Sequence, residues 1–177
     1  MAFDTYVYFP AKGNAGTEIK GETQDADMSS KGAFEIYSFS WGASNPVSIG
    51  SGTGGSGAGK ASLSSFNVMK KTDTSSASIF KACCVGDHFD DMVVVLRKAG
   101  GADGKDNVFL TYSFKEVYVE SVQWSGSTGG DDSPAESVAF AYGAVKIEYK
   151  KQDAKGKLAA GGEQAWSVVK NKAEFAV

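Results

Sequence analysis

Residues 54–60, with the sequence GGSGAGK, come close to the loop that cradles phosphate groups in many nucleotide-binding proteins. Gly54, four intervening residues and the pair Gly59-Lys60 match that spacing. The motif continues with a serine or threonine, whose hydroxyl binds Mg²⁺, and with a helix that starts there. Ala61 stands at that position, and the residues after it alternate as in a strand. The sequence therefore argues against a nucleotide site and favours a long flexible or interface loop.

A thiol and an imidazole lie near each other in the run Cys84-Val-Gly-Asp-His88, which contains the only histidine of the chain. One alternative function is therefore a β-sandwich thiol hydrolase that uses Cys84 and His88. Against it, the helix predicted below places Cys84 on a buried stripe, where a thiol stays protonated and inert. Fast reaction of native Cys84 with a thiol reagent would favour the hydrolase. The only other cysteine is the adjacent Cys83, and neighbouring cysteines close no useful disulfide loop, which favours reduced thiols and cytoplasmic folding.

Two acidic runs contain residue types that bind metals, but neither has the spacing of a metal site. DGKDN, at residues 103–107, lacks the alternating ligands and the distal glutamate of a calcium loop. Asp131-Asp132 follows a glycine pair and precedes Ser133-Pro134, which is typical of a solvated turn. One histidine and two adjacent cysteines cannot assemble a zinc site. We therefore predict no metal, no cofactor and no catalytic residue.

The elements that must position these residues are mostly strands, because the dominant period of the sequence is two. Phe3, Thr5, Val7 and Phe9 share one face. Met92–Leu96 is an apolar run, and a turn built from Gly100, Gly101, Asp103 and Gly104 joins it to a strand that starts near Val108. A change of phase at Gly143-Ala144 predicts a β-bulge.

The strand FEIYSFSW places aromatic and hydroxyl side chains on opposite faces. By alternation, Tyr37, Phe39 and Trp41 face one way, and Ile36, Ser38 and Ser40 face the other. If the aromatic residues face the core, the two serines face either solvent or a channel.

One segment, DTSSASIFKACCVG, changes to a helical period and predicts a short helix at about residues 75–85. Asp73 or Ser75 can cap its start and Gly86 can end it. Its apolar stripe, predicted to pack on the sheets, comprises Ala77, Phe80, Cys83 and Cys84. The fold class is therefore mainly β, a two-sheet β-barrel or sandwich with one short flanking helix, in a single domain covering residues 1–177.

Length, composition and charge exclude several classes of protein. The chain has 177 residues and a formal net charge of −3, whereas nucleic-acid binding usually needs a basic surface. It has no run of about 18 apolar residues, so no membrane span is expected. The start MAFDTYVYFPAKG has no apolar core of a secretory signal peptide, so none is expected.

Eight segments occur in an order that resembles the Hcp family, the haemolysin-coregulated tube proteins of bacterial type VI secretion. The resemblance covers nearly the whole chain, and each segment alone is weak while the joint pattern is specific. The segments are IKGETQD (19–25), FEIYSFSWG (34–42), GGSGAGK (54–60), KKTDTSSASIFKACCVGDHF (70–89), LRKAGG (96–101), FKEVYVESV (114–122), VKIEYKKQDAKGKL (145–158) and AWSVVKNKA (165–173).

The resemblance implies a structural and transport protein without catalysis. Members of this family form β-barrels with one flanking helix, which close into hexameric rings and stack into a hollow tube inside a contractile sheath. The implied partners are other copies of the chain, the spike protein at the tip, the sheath and small effector proteins. The tube would assemble in the bacterial cytoplasm and be secreted by the type VI system without a signal peptide. A monomeric ligand-binding β-barrel is a further alternative, and it predicts one bound small molecule and no ring.

The ring that the resemblance implies gives an expected position to the glycine-rich loop and to the two serines of the strand FEIYSFSW. Residues 43–59 are expected at the contact between subunits or between rings, because glycine-rich loops pack over a neighbour without side-chain obstruction. Ser38 and Ser40 are expected to face the channel. The residues assigned to the interface are Ser51, Gly52, Gly54, Gly55, Gly57, Gly59 and Lys60.

Overall fold

A computed structural model describes residues 3–48, 57–98, 107–128, 133–152 and 158–177. The described strands are Phe3–Tyr8 (β1), Phe34–Ile36 (β2), Ser38–Ser40 (β3), Ala43–Ser44 (β4), Val47–Ser48 (β5), Gly57–Ala58 (β6), Ser62–Leu63 (β7), Phe66–Lys71 (β8), His88–Lys98 (β9), Val108–Ser125 (β10), Ala135–Gln152 (β11) and Leu158–Ser167 (β12). The helix α1 is Ser76–Val85, and a 3₁₀ turn covers Ser29–Lys31.

Most strands belong to one antiparallel sheet that nearly closes into a barrel. Its order is β2-β1-β9-β10-β11-β8-β3, with β12 also paired to β11. The first and last strands of this order, β2 and β3, are separated in the sequence only by Tyr37. The chain therefore crosses from one edge of the sheet to the other at that residue, and the backbone N–H of Tyr37 donates to the Met69 carbonyl at 3.0 Å. The prediction of a mainly β barrel with a flanking helix is confirmed.

The interior of the barrel is an aromatic core. Four phenylalanines from different strands are completely buried: Phe34, Phe66, Phe114 and Phe140. The rings of Phe66 and Phe114 lie 5.0 Å apart between centroids. Each such side chain contributes roughly 1.5–3 kcal/mol through burial, so the alternating apolar positions of these strands hold the barrel together.

The crossing at Tyr37 corrects the predicted faces of the FEIYSFSW segment. Ile36 is buried, while Tyr37 is 58% exposed. Phe39 and Trp41 pack against the core as expected. Because the segment consists of two short strands with a break between them, the alternation shifts by one residue at Tyr37, and a shift of one residue exchanges the two faces.

The helix lies where predicted, and its start has reciprocal capping. The Asp73 carboxylate accepts from the Ser75 backbone N–H at 2.9 Å, and the Ser76 hydroxyl accepts from the Asp73 backbone N–H at 3.0 Å. This is the arrangement of a capping box, with serine in place of the usual glutamate. Of the two candidate caps, the side chain of Asp73 makes the capping bond.

The predicted buried stripe of the helix is wrong. Its buried residues are Ser76, Ile79 and Ala82. Phe80 is 52% exposed, Cys84 is exposed and Cys83 is half-buried. The error has a physical reason, since the buried face begins with a serine whose hydroxyl is hydrogen-bonded inside the protein, and an apolar pattern does not include it.

The predicted hairpin is confirmed as the antiparallel pair β9 and β10. Its turn residues Gly100, Gly101, Asp103 and Gly104 lie outside the described residues. The β-bulge predicted at Gly143-Ala144 is not there, because β10 and β11 keep one register through this point. Instead Glu116, which lies across from Gly143, has a φ of 53°, and the register shifts between Val119 and Ser121. An added Cβ on Gly143 would lie 2.5 Å from Val177 Cγ1 and 2.7 Å from Glu116 Oε2, so these two side chains would have to move to admit it.

A buried carboxylate fixes the loop before residue 18 to the end of the helix. Asp87 is 2% exposed and accepts from the backbone N–H groups of Ala15 at 2.7 Å and Thr17 at 3.0 Å. Burial by itself would raise the pKa of Asp87, but the hydrogen bonds to its carboxylate, from the Ala15 amide first, outweigh burial and hold that pKa below its ordinary value.

Replacing Asp87 by asparagine is expected to lower the free energy of unfolding at pH 7 by about 1.5–3 kcal/mol. The reason is that Ala15 and Thr17 donate to different oxygens of the carboxylate, and in asparagine one of these oxygens becomes an NH₂ group that cannot accept. A lowered native pKa stabilises the fold above the unfolded pKa of about 3.9 and loses that contribution as the pH falls through the native value. Urea unfolding should therefore show a difference between wild type and variant that shrinks below about pH 4. The exposed neighbour Asp90, changed to asparagine, is the control. An equal difference at pH 7 and in acid would contradict this role of the carboxylate.

Candidate functional site

Residues 57–60, the described part of the glycine-rich stretch, lie on an exposed β-hairpin arm, which we define as residues 42–64. Ala43 pairs with Leu63, and farther along the arm Val47 pairs with Ala58. Between the two short ladders, the Gly59 N–H donates to the Pro46 carbonyl at 2.8 Å. A strand, β7, follows Lys60 where a phosphate-binding loop would need a helix. The geometry agrees with the rejection of a nucleotide site.

Most of the described residues of the arm are exposed to solvent. Gly42, Asn45, Pro46, Gly59 and Lys60 are exposed, and Val47 is 59% exposed although it is apolar. Of the predicted interface residues, Gly57, Gly59 and Lys60 lie on the returning side of the arm. Ser51, Gly52, Gly54 and Gly55 lie outside the described residues. An exposed hairpin leaves backbone groups at its edges unpaired, and another chain can pair with such an edge.

Three side chains hold the base of the arm to the barrel. The Trp41 indole N–H donates to the Tyr142 hydroxyl, which in turn donates to the Ser64 carbonyl at 2.8 Å. The Ser64 hydroxyl accepts from the Gly42 N–H at 3.0 Å. Burial raises the pKa of Tyr142, and the hydrogen bond from Trp41 opposes that rise. The sequence reasoning missed this clamp; the Trp41-Gly42 pair at the entry to the arm was its only signal.

Ser38 and Ser40 lie on an exposed face of small side chains that extends over three strands. Ser40 is paired with Asn67 on β8, and Ser38 is paired with Met69, which is paired in turn with Ser137 on β11. Directly paired residues of antiparallel strands share a face, so these side chains lie together. The opposite side of β3 is fixed by Phe39, whose ring stacks on Phe66 at 5.6 Å. We call Ser38, Ser40, Asn67, Met69 and Ser137 the serine face. Sequence reasoning missed Asn67 and Ser137, since only the strand pairing brings them there.

The structure does not bring Cys84 and His88 together as a nucleophile and a base. A ring nitrogen of His88 is hydrogen-bonded to the Asn14 side-chain amide, and the ring stacks on Tyr118 with 5.2 Å between centroids. Cys84 is exposed rather than buried. Rapid reaction of Cys84 with a thiol reagent would therefore report exposure and no longer identifies a catalytic thiol.

Two further features bear on the kind of site present. Within the described ranges, no group of three or more histidine, cysteine, aspartate or glutamate side chains is placed to hold a metal ion. Over the same part of the chain, we find no helix with the length and apolar character needed to cross a membrane. The candidate site consists of two exposed surfaces, the arm and the serine face.

Comparison with known proteins identifies relatives of this chain in sequence and in structure. Residues 8–149 match the family described as type VI secretion system effector, Hcp. The protein hcp1 of Pseudomonas aeruginosa is 32% identical over 113 residues, which cover 63% of this chain and 68% of that protein. A solved type six secretion system protein aligns with a TM-score of 0.84 and 36% identity over 98% of this chain and 100% of its own. Hcp1 from Salmonella typhimurium aligns with a TM-score of 0.73 and 25% identity over 98% of this chain and 100% of its own.

Proposed function

Because the chain belongs to the Hcp family of type VI secretion system effectors, we propose that it is the repeating subunit of a secretion tube. Hexameric rings of the subunit stack into a hollow tube that carries small effector proteins. The observation that carries this proposal is the exposed hairpin arm, which is rigidly held at its base and has an apolar residue, Val47, facing solvent.

The arm has the properties of a contact that joins identical subunits in a ring or in successive rings. A closed ring needs two different surfaces on each subunit, one that projects and one that receives. The arm is the projecting surface, and its glycines allow close approach of a neighbouring backbone. We assign Ser51, Gly52, Gly54, Gly55, Gly57, Gly59 and Lys60 to this contact. The axial contact between rings uses the same arm or its neighbouring loops.

The serine face supplies the channel wall of the proposed tube, with Ser38 and Ser40 at its centre. It contains hydroxyl, amide and thioether groups and no charged side chain. Small neutral groups of this kind hold a protein weakly, so cargo can be retained during assembly and then released.

Replacing Ser40 by glutamate is expected to lower cargo retention by about tenfold, which corresponds to 1.4 kcal/mol of binding free energy. The reason is that a charged side chain brings a desolvation cost and occupies space at the wall. Retention is measured by co-purification of a bound effector with rings, and Ser40→Ala is the matched control that keeps the wall small. Intact rings of the glutamate variant that hold as much cargo as wild type would remove Ser40 from the channel.

The remaining parts of the proposal concern partners and location. The partners are other copies of the chain, the spike protein, the contractile sheath and small effectors. The subunit assembles in the bacterial cytoplasm and leaves it through the type VI apparatus. In this proposal it acts as a single structural domain and not as an enzyme, which is consistent with its membership of the family described as type VI secretion system effector, Hcp.

The proposal is tested by the native mass from light scattering, combined with negative-stain electron microscopy of the same sample. A six-fold ring with an open centre supports it. A monomer over a wide range of concentration contradicts it and favours the alternative of a monomeric ligand-binding barrel. Native mass spectrometry would then detect one small molecule bound to the monomer.

A further inference from the structure

A basic cleft of about 690 Å³ lies between two loops on the side of the barrel near the start of the chain. One wall comes from residues 8–12 and 18–21, and the other from residues 29–32. We call this the lysine cleft, because three of the four charged side chains that line it are lysines. The four are Lys12, Lys20, Lys31 and Glu18.

The charges in the lysine cleft do not cancel. The Glu18 carboxylate forms ion pairs with Lys20, at 2.9 Å, and with Lys12, at 3.6 Å, so one negative charge is shared by two ammonium groups. Lys31 lies over the Tyr8 ring at 4.9 Å from its centroid. Three lysines and one glutamate leave an excess of two positive charges, in a chain whose formal net charge is −3. A local excess of opposite sign to the whole chain attracts an anionic partner to one place on the surface.

The rim of the lysine cleft is charged, and two nearly buried apolar side chains lie below it. Phe9 is 6% exposed and Ile19 is 3% exposed, and both line the cleft beneath the lysines. The ammonium groups of Lys12 and Lys20 stand at the rim, with side chains that are 62% and 67% exposed. Exposed ammonium groups at an open rim suit a peptide that sets carboxylates against them.

Both walls of the lysine cleft are held in place by hydrogen bonds that do not involve the lysine side chains. Asp87 fixes the backbone at Ala15 and Thr17, as described above. The two walls are tied to each other where the Gly21 N–H donates to the Gly32 carbonyl at 2.9 Å. A cleft with fixed walls binds with a smaller ordering cost than mobile loops would.

We propose that the lysine cleft binds a carboxylate-rich segment of a partner polypeptide. The negative net charge of the chain argues against a nucleic acid, which needs an extended basic surface. Lysines act as separate point charges, so they suit several spaced carboxylates better than one planar group. This site is distinct from the arm and from the serine face, and it does not depend on ring formation.

The test measures binding of a fluorescein-labelled peptide of alternating glutamate and alanine by fluorescence anisotropy, with the glutamine-alanine peptide as its neutral control. We expect saturable binding of the acidic peptide alone, which weakens as NaCl is raised from about 0.05 to about 0.3 M. The double variant Lys20→Glu, Lys31→Glu should weaken binding by at least about tenfold, equivalent to about 1.4 kcal/mol. Lys81→Glu, on the exposed side of α1, is the matched control and should leave binding unchanged.

Three further outcomes decide the proposal. If the charge-reversed variant unfolds, the double variant Lys20→Gln, Lys31→Gln is used in its place. The single variant Lys31→Arg should retain binding, because it keeps the positive charge. Equal weakening by Lys81→Glu would mean unspecific attraction and would overturn the site. If inorganic phosphate, added at the same concentration of negative charge as the peptide, displaces the peptide, the cleft is an anion site without preference for peptides. This result too would overturn the proposal.

Discussion

Replacing Lys70 with alanine is expected to lower the free energy of unfolding by about 3–5 kcal/mol, because it leaves a buried carboxylate without its counter-charge. Lys70 and Glu136 are both completely buried, and the Lys70 Nζ lies 3.2 Å from Glu136 Oε2. The loss should appear in urea unfolding of the monomer, without any need for a ring.

The effect is large because the ammonium group of Lys70 joins three parts of the fold. It donates to Asp73 at 2.8 Å, to the Ser76 hydroxyl at 3.1 Å and to the Lys71 carbonyl at 2.8 Å. Asp73 and Ser76 are the residues that cap α1. On the other side, Glu136 accepts from the Trp124 indole N–H at 2.7 Å. The network therefore fixes the start of the helix to β8, β10 and β11.

Two controls separate the network from a general effect of losing a lysine. Lys71→Ala, at the exposed next position of β8, should change stability by no more than about 0.5 kcal/mol. The double variant Lys70→Met, Glu136→Gln should be less damaging than the sum of its single changes, because neither charge is then left alone in the interior. Strict additivity of the two changes would show that the ion pair is not what stabilises this region.

Gly59→Ala is expected to abolish ring assembly at concentrations where the wild type assembles, an effect of at least about tenfold on the subunit dissociation constant. An added Cβ at Gly59 would lie 2.6 Å from Pro46 Cγ and 3.0 Å from the Pro46 carbonyl oxygen. The two sides of the arm must then separate at the point where the Gly59 N–H meets that carbonyl. Light scattering measures the change in native mass. This prediction rests on the proposed tube function.

Gly42→Ala is the matched control, because an added Cβ at Gly42 meets no atom within 4 Å. It should assemble like the wild type. The monomer of Gly59→Ala should unfold within about 0.5 kcal/mol of the wild type, since the arm lies outside the core. Normal rings from Gly59→Ala would show that the shape of the arm is not needed for assembly, whereas absence of rings in the wild type would count against the tube itself.

The strands and the helix could be predicted from local pattern, and the errors fell where a polar contact or a change of strand partner decides which face is buried. The period of two identified β1 and β10, the apolar run Met92–Leu96 identified β9, and the capping residues with Gly86 bounded the helix correctly. The buried face of the helix was mistaken because Ser76 is bonded to Lys70, a contact that apolar periodicity does not encode. The faces around Tyr37 were mistaken because the chain changes its pairing partner there, from β1 to β8.

For the candidate site, the sequence alone predicted an interface loop at residues 43–59 and a shared face for Ser38 and Ser40, and it argued against a nucleotide site at residues 54–60. These conclusions rest on local residue types, which fix turns, alternation and missing hydroxyls. Only the tertiary structure decided that the loop is a paired hairpin, that Trp41 and Tyr142 hold its base, and that His88 meets Asn14 rather than Cys84. The same holds for the lysine cleft, whose two walls are joined by a hydrogen bond from the Gly21 N–H to the Gly32 carbonyl, because contacts between distant segments depend on how the strands pair and pack.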